Sequence, residues 1–195
     1  MTQRAVQMRR LVLLARPGAG KTTQAALLAR RLGVAHLSTG ALLRGEVAAA
    51  SAPGRLIAPV LERGDLVADE LVVAVVARHL LEAVAAGGYV LDGFPRDLAQ
   101  DTAFVEQFPD AVQPQAAVLL DVAAEECRRR LLARAAVEGR GDDTAGVIDH
   151  RLDLFEKDLA PVIERYEHRG LLVRVDGAAD SDVVAERILG RLGIS

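Results

Sequence analysis

The feature that most constrains the fold is a hydrophobic run that leads into a glycine-rich loop and then into a helical pattern. Residues 11–15 read LVLLA, the loop continues as RPGAGKTT, and QAALLARRL follows. Glycine permits backbone angles and close approaches that side chains forbid, and the first N–H groups of a helix bind anions. Strand, loop and helix in this order predict a phosphate-binding loop.

The loop differs at one position from the strict pattern G-x-x-x-x-G-K-[ST], because Ala15 stands where the first glycine belongs. Alanine is small enough to preserve the turn, and a chance glycine turn before a helix is the alternative interpretation. The residues expected to bind phosphates and Mg²⁺ here are Gly18, Ala19, Gly20, Lys21, and Thr22 or Thr23.

Alternation of apolar stretches with helical patterns predicts an α/β fold, with a parallel sheet covered by helices on both faces. Expected strands are residues 11–15, 34–37, 89–92, 116–122 and 171–176. Expected helices are residues 21–32, 39–50, 55–63, 69–86, 98–107, 123–135, 144–169 and 182–192. Residues 38–67 and the polar segment 136–144 do not follow the alternation, and we expect both to project from the core.

Composition narrows the possible partners. The 195 residues suit one domain, and a net charge of −3 argues against broad binding to nucleic acids or anionic membranes. Aromatic residues are 3% of the chain, with no Trp, which is unlike a base-stacking surface. The sequence has one cysteine, no apolar run long enough to span a bilayer, and no apolar secretory signal at its start. We therefore expect a cytoplasmic protein.

Four further segments carry a family resemblance. They are LSTGALLR (37–44), RGDLVADELV (63–72), YVLDGFPRDLAQ (89–100) and GRGDDTAGVIDHRL (139–152). In this order and spacing, together with the phosphate loop, they resemble the adenylate kinase family of nucleoside monophosphate kinases. The resemblance runs from residue 11 to about residue 176.

The resemblance implies one nucleoside monophosphate kinase domain over residues 1–195, with a P-loop NTPase-type core of five parallel strands. A helical excursion at about 38–67 would bind the monophosphate, and a short lid at about 135–144 would cover ATP. The lid carries none of the four cysteines or equivalents that hold zinc in long-lidded relatives, so no structural zinc is implied. The family's habit also implies a monomer.

The implied reaction transfers the γ-phosphoryl group of MgATP to AMP and gives two ADP. The attacking phosphate is already an anion, so catalysis needs positioning and charge stabilisation rather than a general base. This predicts arginines around the site and no essential histidine. The implied catalytic residues are Lys21, Arg96, Arg134, Arg140 and Arg151.

On the ATP side, the resemblance implies that Arg130 packs on the adenine and Arg134 reaches the phosphates. Without the resemblance, these arginines are typical of a solvated helix face. Ala179 would contact the ATP adenine mainly through its backbone. Asp92, at a strand end, would bind Mg²⁺ through water; a turn-forming aspartate is the alternative.

On the AMP side, Arg44 and Arg96 are implied to clamp the monophosphate, and an arginine fork suits phosphate oxygens. Thr39 and Gln100 would line the base pocket, with the Gln100 amide pairing with adenine. Pyrimidine monophosphate kinases usually have alanine and asparagine at these two positions. The remaining implied AMP contacts are Asp65, Leu66, Val67, Gly93, Phe94, Pro95, Arg140 and Arg151.

Departures from the family pattern leave two alternatives open. Glycine is usual at the positions of Ala15, Arg16 and Thr22, and Arg16 is expected to add a cation beside the phosphates. One alternative is a kinase for another monophosphate, such as UMP, CMP, GMP or dAMP. The other is a nucleotide-binding relative with little turnover.

Overall fold

The computed structural model describes residues 8–62, 67–138 and 145–194; residues 137, 138, 151, 154 and 156 are described by their backbone only. Five parallel strands form one sheet in the order β2-β3-β1-β4-β5. The strands are β1 (Arg10–Ala15), β2 (Ala35–Ser38), β3 (Tyr89–Asp92), β4 (Ala116–Asp121) and β5 (Leu172–Asp176). The predicted fold class is confirmed.

Helices connect the strands and cover both faces of the sheet, as parallel pairing requires. In the described residues they are α1 (Lys21–Leu32), α2 (Thr39–Ala48), α3 (Ala52–Glu62), α4 (Asp69–Ala85), α5 (Leu98–Gln107), α6 (Ala124–Glu138), α7 (Ala145–His168) and α8 (Ser181–Arg191). None of them combines the length and the apolar content that crossing a membrane needs.

Alternation along β1 divides the core into two apolar layers, since successive side chains of a strand point to opposite faces. Leu11 and Leu13 pack in one layer with buried residues of α1, α6 and α8. Val12 and Leu14 pack in the other layer with buried residues of α4, α5 and α7. Being buried on both faces is why β1 reads as a continuous apolar run.

The register of the sheet brings three strand ends to one edge. Asp92 at the end of β3 pairs with Leu13 of β1 and with Ser38 at the end of β2. Ligands of parallel α/β sheets bind at the carboxyl ends of the strands, at the point where the strand order reverses. The loops that follow β1, β2 and β3 therefore lie close together.

The start of α3 and the end of α6 differ from the prediction for identifiable reasons. α3 begins at Ala52 rather than residue 55, because the Ser51 hydroxyl accepts a hydrogen bond from Gly54 N at 2.9 Å and caps the helix. α6 runs through Glu138 rather than ending at 135. Ala136 and Glu138 are good helix formers, so they prolong the helix into the stretch expected to begin the lid.

Candidate functional site

The loop between β1 and α1 is held by its backbone. Gly18 and Gly20 have φ angles of 85° and 88°, which side chains disfavour. A Cβ on Gly18 would lie 2.6 Å from Cys127 O, so only glycine lets the loop pack against α6. A Cβ on Gly20 would meet nothing within 4 Å. The loop is thus packed on one side and faces open space where α1 begins.

Lys21, the first residue of α1, crosses to the end of β3. Its Nζ donates a hydrogen bond to Asp92 Oδ1, and the two form an ion pair. The Thr39 hydroxyl, at the start of α2, donates to the Asp92 backbone oxygen at 3.1 Å. Asp92 and Thr39 are buried, with 2% and 0% exposure. Three elements far apart in sequence therefore meet at one point.

The Asp92 carboxyl is ionised in the folded protein. Burial alone would raise its pKa, but His36, the charge and hydrogen bond of Lys21, and the Thr22 hydroxyl together hold the pKa well below its usual range. His36 Nε2 lies 3.8 Å from Asp92 Oδ2. The expectation named Thr22 or Thr23 beside this carboxylate, and the structure brings Thr22 to it. A buried anion with a hydroxyl nearby offers the oxygen ligands that Mg²⁺ prefers.

The loop after β3 is anchored by apolar side chains and by helix capping. Phe94 and Pro95 are buried, and the Phe94 ring packs edge-on against Phe104 with centroids 5.6 Å apart. Asp97 caps α5 by accepting from Gln100 N at 2.9 Å. Arg96 stands on this anchored loop with an exposed side chain, and its Nε donates to Gly93 O at 3.1 Å.

Gln100 is a buried polar side chain with hydrogen bonds to two elements. Its Oε1 accepts from Arg96 N at 3.0 Å, and its Nε2 donates to Asp69 Oδ1 at 2.6 Å. Only 4% of the residue is exposed. The amide is therefore fixed between the β3–α5 loop and the first turn of α4.

Arg44 lies on the exposed side of α2, with its guanidinium over Gly40: a Cβ on that glycine would be 3.3 Å from Arg44 Nη1. α2 itself is held by the buried Glu46, which accepts from Ser51 at the start of α3 and from Arg78 of α4. The hydrogen bond from Ser51, followed by the charge of Arg78, outweighs burial and lowers the pKa of Glu46. These bonds fix the helix that carries Thr39 and Arg44.

The predicted ATP-side cations lie on α6. Arg130 and Arg134 are both half-buried, and Arg130 Nε donates to Glu126 Oε1 at 2.6 Å. Hydrogen bonds from Arg129 and Arg130 lower the pKa of Glu126 to about 2, so this partner stays ionised. α6 also contacts the phosphate loop through Cys127. Ala179, after β5, packs against the same core layer.

Apart from residues 18–20, Thr23, Phe94, Pro95 and Ala179, the predicted site residues fall into three groups. Lys21, Thr22, Thr39, Asp92 and Gly93 come together, and a Cβ on Gly93 would lie 3.8 Å from Lys21 Nζ. Arg44, Arg96, Gln100, Arg130 and Arg134 stand on α2, the β3–α5 loop, α5 and α6. Val67 packs partly buried against the core, whereas Asp65, Leu66, Arg140 and the Arg151 side chain lie outside the described residues.

Two features of the site were not predicted. Asp69 binds Gln100 across 31 positions of sequence, and no local pattern signals that pair. The Asp97-x-x-Gln100 spacing is close to a helix capping box and could have indicated that the Gln100 side chain reaches back to the loop.

Arg16 was expected beside the phosphates, but its guanidinium donates to Val122 O at 3.1 Å and lies 5.4 Å from the Phe155 ring centroid.

A five-stranded parallel sheet with a glycine-rich loop after its central strand defines an α/β protein of the P-loop NTPase type. A model of the adenylate kinase family matches residues 13–171. An adenylate kinase of Xanthomonas campestris pv. campestris (strain 8004) is 46% identical over 185 residues, covering 94% of this chain and 99% of the relative. An adenylate kinase of Stenotrophomonas maltophilia (strain R551-3) is 42% identical over 184 residues, covering 94% and 98%. The chain belongs to the adenylate kinase family, whose members are nucleoside monophosphate kinases.

Proposed function

We propose that this chain catalyses reversible phosphoryl transfer from MgATP to AMP, giving two ADP. The observation that carries the proposal is the meeting of Lys21 with Asp92, Gly93 and Thr39 at the carboxyl edge of the sheet. It joins the loop suited to ATP phosphates to the loop suited to a monophosphate. Family membership supports the same reaction.

In this proposal the ATP phosphates lie on the β1–α1 loop. The N–H groups of Gly18, Ala19 and Gly20, with the first turn of α1, bind the phosphate oxygens, and the open space at Gly20 leaves room for them. Lys21 turns from Asp92 to the terminal phosphates. Arg130 and Arg134 contact the ATP adenine and phosphates from α6, while Ala179 borders the base.

Magnesium suits the residues present, because the ionised Asp92 carboxylate and the nearby Thr22 hydroxyl are oxygen donors. Asp92 would hold the ion through water, with Thr22 as the hydroxyl. Bound there, Mg²⁺ would neutralise charge on the β- and γ-phosphates. The pKa of Asp92 ensures that the carboxylate stays ionised at neutral pH.

The monophosphate lies on the other side of Lys21. Arg44 and Arg96 bind its phosphoryl group, and Thr39 and Gln100 line the base pocket with the Gly93–Phe94–Pro95 backbone. Asp65, Leu66 and Val67 enclose the base and ribose. Arg140, from a lid at about 135–144, and Arg151, from α7, bind the transferring group.

Transfer itself needs no general base, since the AMP phosphate attacks as an anion. The residues act by holding donor and acceptor in line, by excluding water when the lid closes, and by stabilising the charge that spreads over the γ-phosphoryl oxygens. Removing one such charge contact costs on the order of 10²–10³ in rate. We expect the protein to act as a monomer in the cytoplasm, without nucleic acid.

The test is a coupled assay of ADP formation from MgATP with AMP, GMP, CMP, UMP and dAMP in turn. The proposal predicts fast ADP formation with AMP and much slower turnover with each of the other acceptors. Preference for another acceptor would make the chain a kinase for that nucleotide. Binding of ATP without turnover on any acceptor would overturn the kinase assignment.

A further inference from the structure

The buried amide of Gln100 is held in one orientation by two partners of opposite chemistry. Asp69 Oδ1 accepts from Nε2 at 2.6 Å, and Arg96 N donates to Oε1 at 3.0 Å. A carboxylate only accepts and a backbone N–H only donates. Rotating the amide by 180° would set oxygen against oxygen and N–H against N–H. The two partners therefore allow one orientation.

These two bonds use half of what the amide can offer. A glutamine amide has two N–H donors and two acceptor lone pairs. Gln100 donates one N–H to Asp69 and accepts from Arg96 N with one lone pair. One N–H donor and one acceptor lone pair remain on this oriented amide, and neither has a partner within the described residues.

The remaining pattern distinguishes two kinds of purine. A 6-aminopurine offers an acceptor at N1 beside a donor at N6, which matches the fixed edge of Gln100. A 6-oxopurine offers a donor at N1 beside an acceptor at O6, and it matches the amide only after a flip. The amide orientation of Gln100 therefore decides whether its free hydrogen-bonding groups match the base of AMP or the base of IMP.

We propose that Asp69 is a positioning residue that selects 6-aminopurine monophosphates by fixing the amide orientation of Gln100. The inference rests on the proposed function, which places the acceptor base against Gln100. The Asp97 cap of α5 explains why Gln100 Oε1 contacts Arg96 N, but it does not explain the bond to Asp69. That bond comes from another helix, α4. It is the contact that excludes the flipped amide at Nε2.

The test is Asp69→Asn, with kcat and KM measured for AMP and for IMP. Asparagine has nearly the same shape but can accept or donate, so position 69 no longer opposes the flipped amide and only Arg96 N still does. The ratio of kcat/KM for AMP to that for IMP should fall by about 10-fold or more. Most of the change should come from a higher KM for AMP and a lower KM for IMP, with kcat for AMP little altered.

Glu70→Gln is the matched control. Glu70 is exposed, lies in the same first turn of α4, and removing its charge changes the helix terminus as Asp69→Asn does. Its AMP to IMP ratio should equal that of the wild type. If Asp69→Asn does not fold, Asp69→Ser makes the same test, because a hydroxyl both donates and accepts.

Three results separate the claims. An unchanged AMP to IMP ratio in a folded Asp69 variant would overturn the inference. So would a parallel loss of activity on both nucleotides, which indicates a structural role alone. A wild-type protein that forms no ADP from AMP would overturn the proposed function instead, whatever the variants do.

Discussion

Two loops at the same edge of the sheet are held in different ways. The β1–α1 loop is fixed by backbone: positive φ angles at Gly18 and Gly20, and close packing of Gly18 on Cys127. The β3–α5 loop is fixed by side chains, through the Asp97 cap and the Gln100 hydrogen bonds. The first tolerates new side chains that leave its glycines in place, whereas the second depends on the identity of each polar group.

Three departures from the family pattern fall in or beside the first loop, which this difference allows. Ala15 is buried in a core layer, Arg16 directs its guanidinium to the end of β4, and Thr22 is exposed at the start of α1. None of these side chains occupies the turn made by Gly18 and Gly20. The loop can therefore keep its shape with three substituted positions.

The largest effect should come from the residue that joins the two loops. Lys21→Met removes the cation between the phosphate loop and Asp92, and kcat for ADP formation should fall by about 10³-fold or more. Steady-state assays at saturating nucleotide measure it. Arg31→Met is the control, because Arg31 lies on the same helix and pairs with the exposed Glu186. If kcat of Lys21→Met stays within about tenfold of the wild-type value, Lys21 does not take part in phosphoryl transfer.

A pair of glycine variants sharpens the claim that backbone packing fixes the first loop. Gly18→Ala adds both left-handed strain and a Cβ 2.6 Å from Cys127 O, and should cost about 3 kcal/mol in unfolding free energy. Gly20→Ala adds strain in open space, and should cost about 1 kcal/mol. Urea unfolding compares them. Equal losses would mean that contact with α6 does not matter.

The junction between the loops should also respond to acid. Asp92→Asn should cost about 2 kcal/mol at neutral pH, because a charged hydrogen-bonded pair is lost. The folded pKa of Asp92 lies below its ordinary value of 3.8, so its stabilisation is complete above that pH. Between the ordinary value and the folded pKa, the unfolded chain binds more protons, and the stabilisation declines as pH falls.

Denaturant unfolding of wild type and Asp92→Asn across this range measures the difference directly. The gap in unfolding free energy should be constant from neutral pH down to about pH 5 and should narrow below about pH 4. A gap that widens in acid would mean that Asp92 is protonated in the folded protein, contrary to the lowered pKa.

The smallest effect should come from the cap of the second loop. Asp97→Ala removes the acceptor for Gln100 N and should cost about 1 kcal/mol in unfolding free energy. Because the cap also positions Gln100, KM for AMP should rise while KM for ATP stays unchanged. Equal changes in both KM values would contradict the separation of the two loops.

Much of the fold followed from sequence periodicity. The β1 strand, α1 and α5 lie within one residue of prediction, and a continuous apolar run and flanking glycines mark β1 and α1. The start of α3 was missed because the Ser51 cap acts through one hydroxyl. The side-chain partners of the site were harder still, since Gln100 and Asp69 meet only after α4 and α5 pack together. Local sequence therefore predicts helices and strands, whereas the hydrogen-bond partners of site side chains depend on how the helices pack.

The central claim is that the two loops form one site across Lys21, and a crystal structure with two adenosines joined by a polyphosphate chain tests it most directly. We expect Lys21 Nζ and the Arg96 guanidinium to bind oxygens of the same chain, with one adenine against Gln100. A structure in which the ligand lies on the β1–α1 loop while Arg96 and Gln100 remain out of reach would contradict the account.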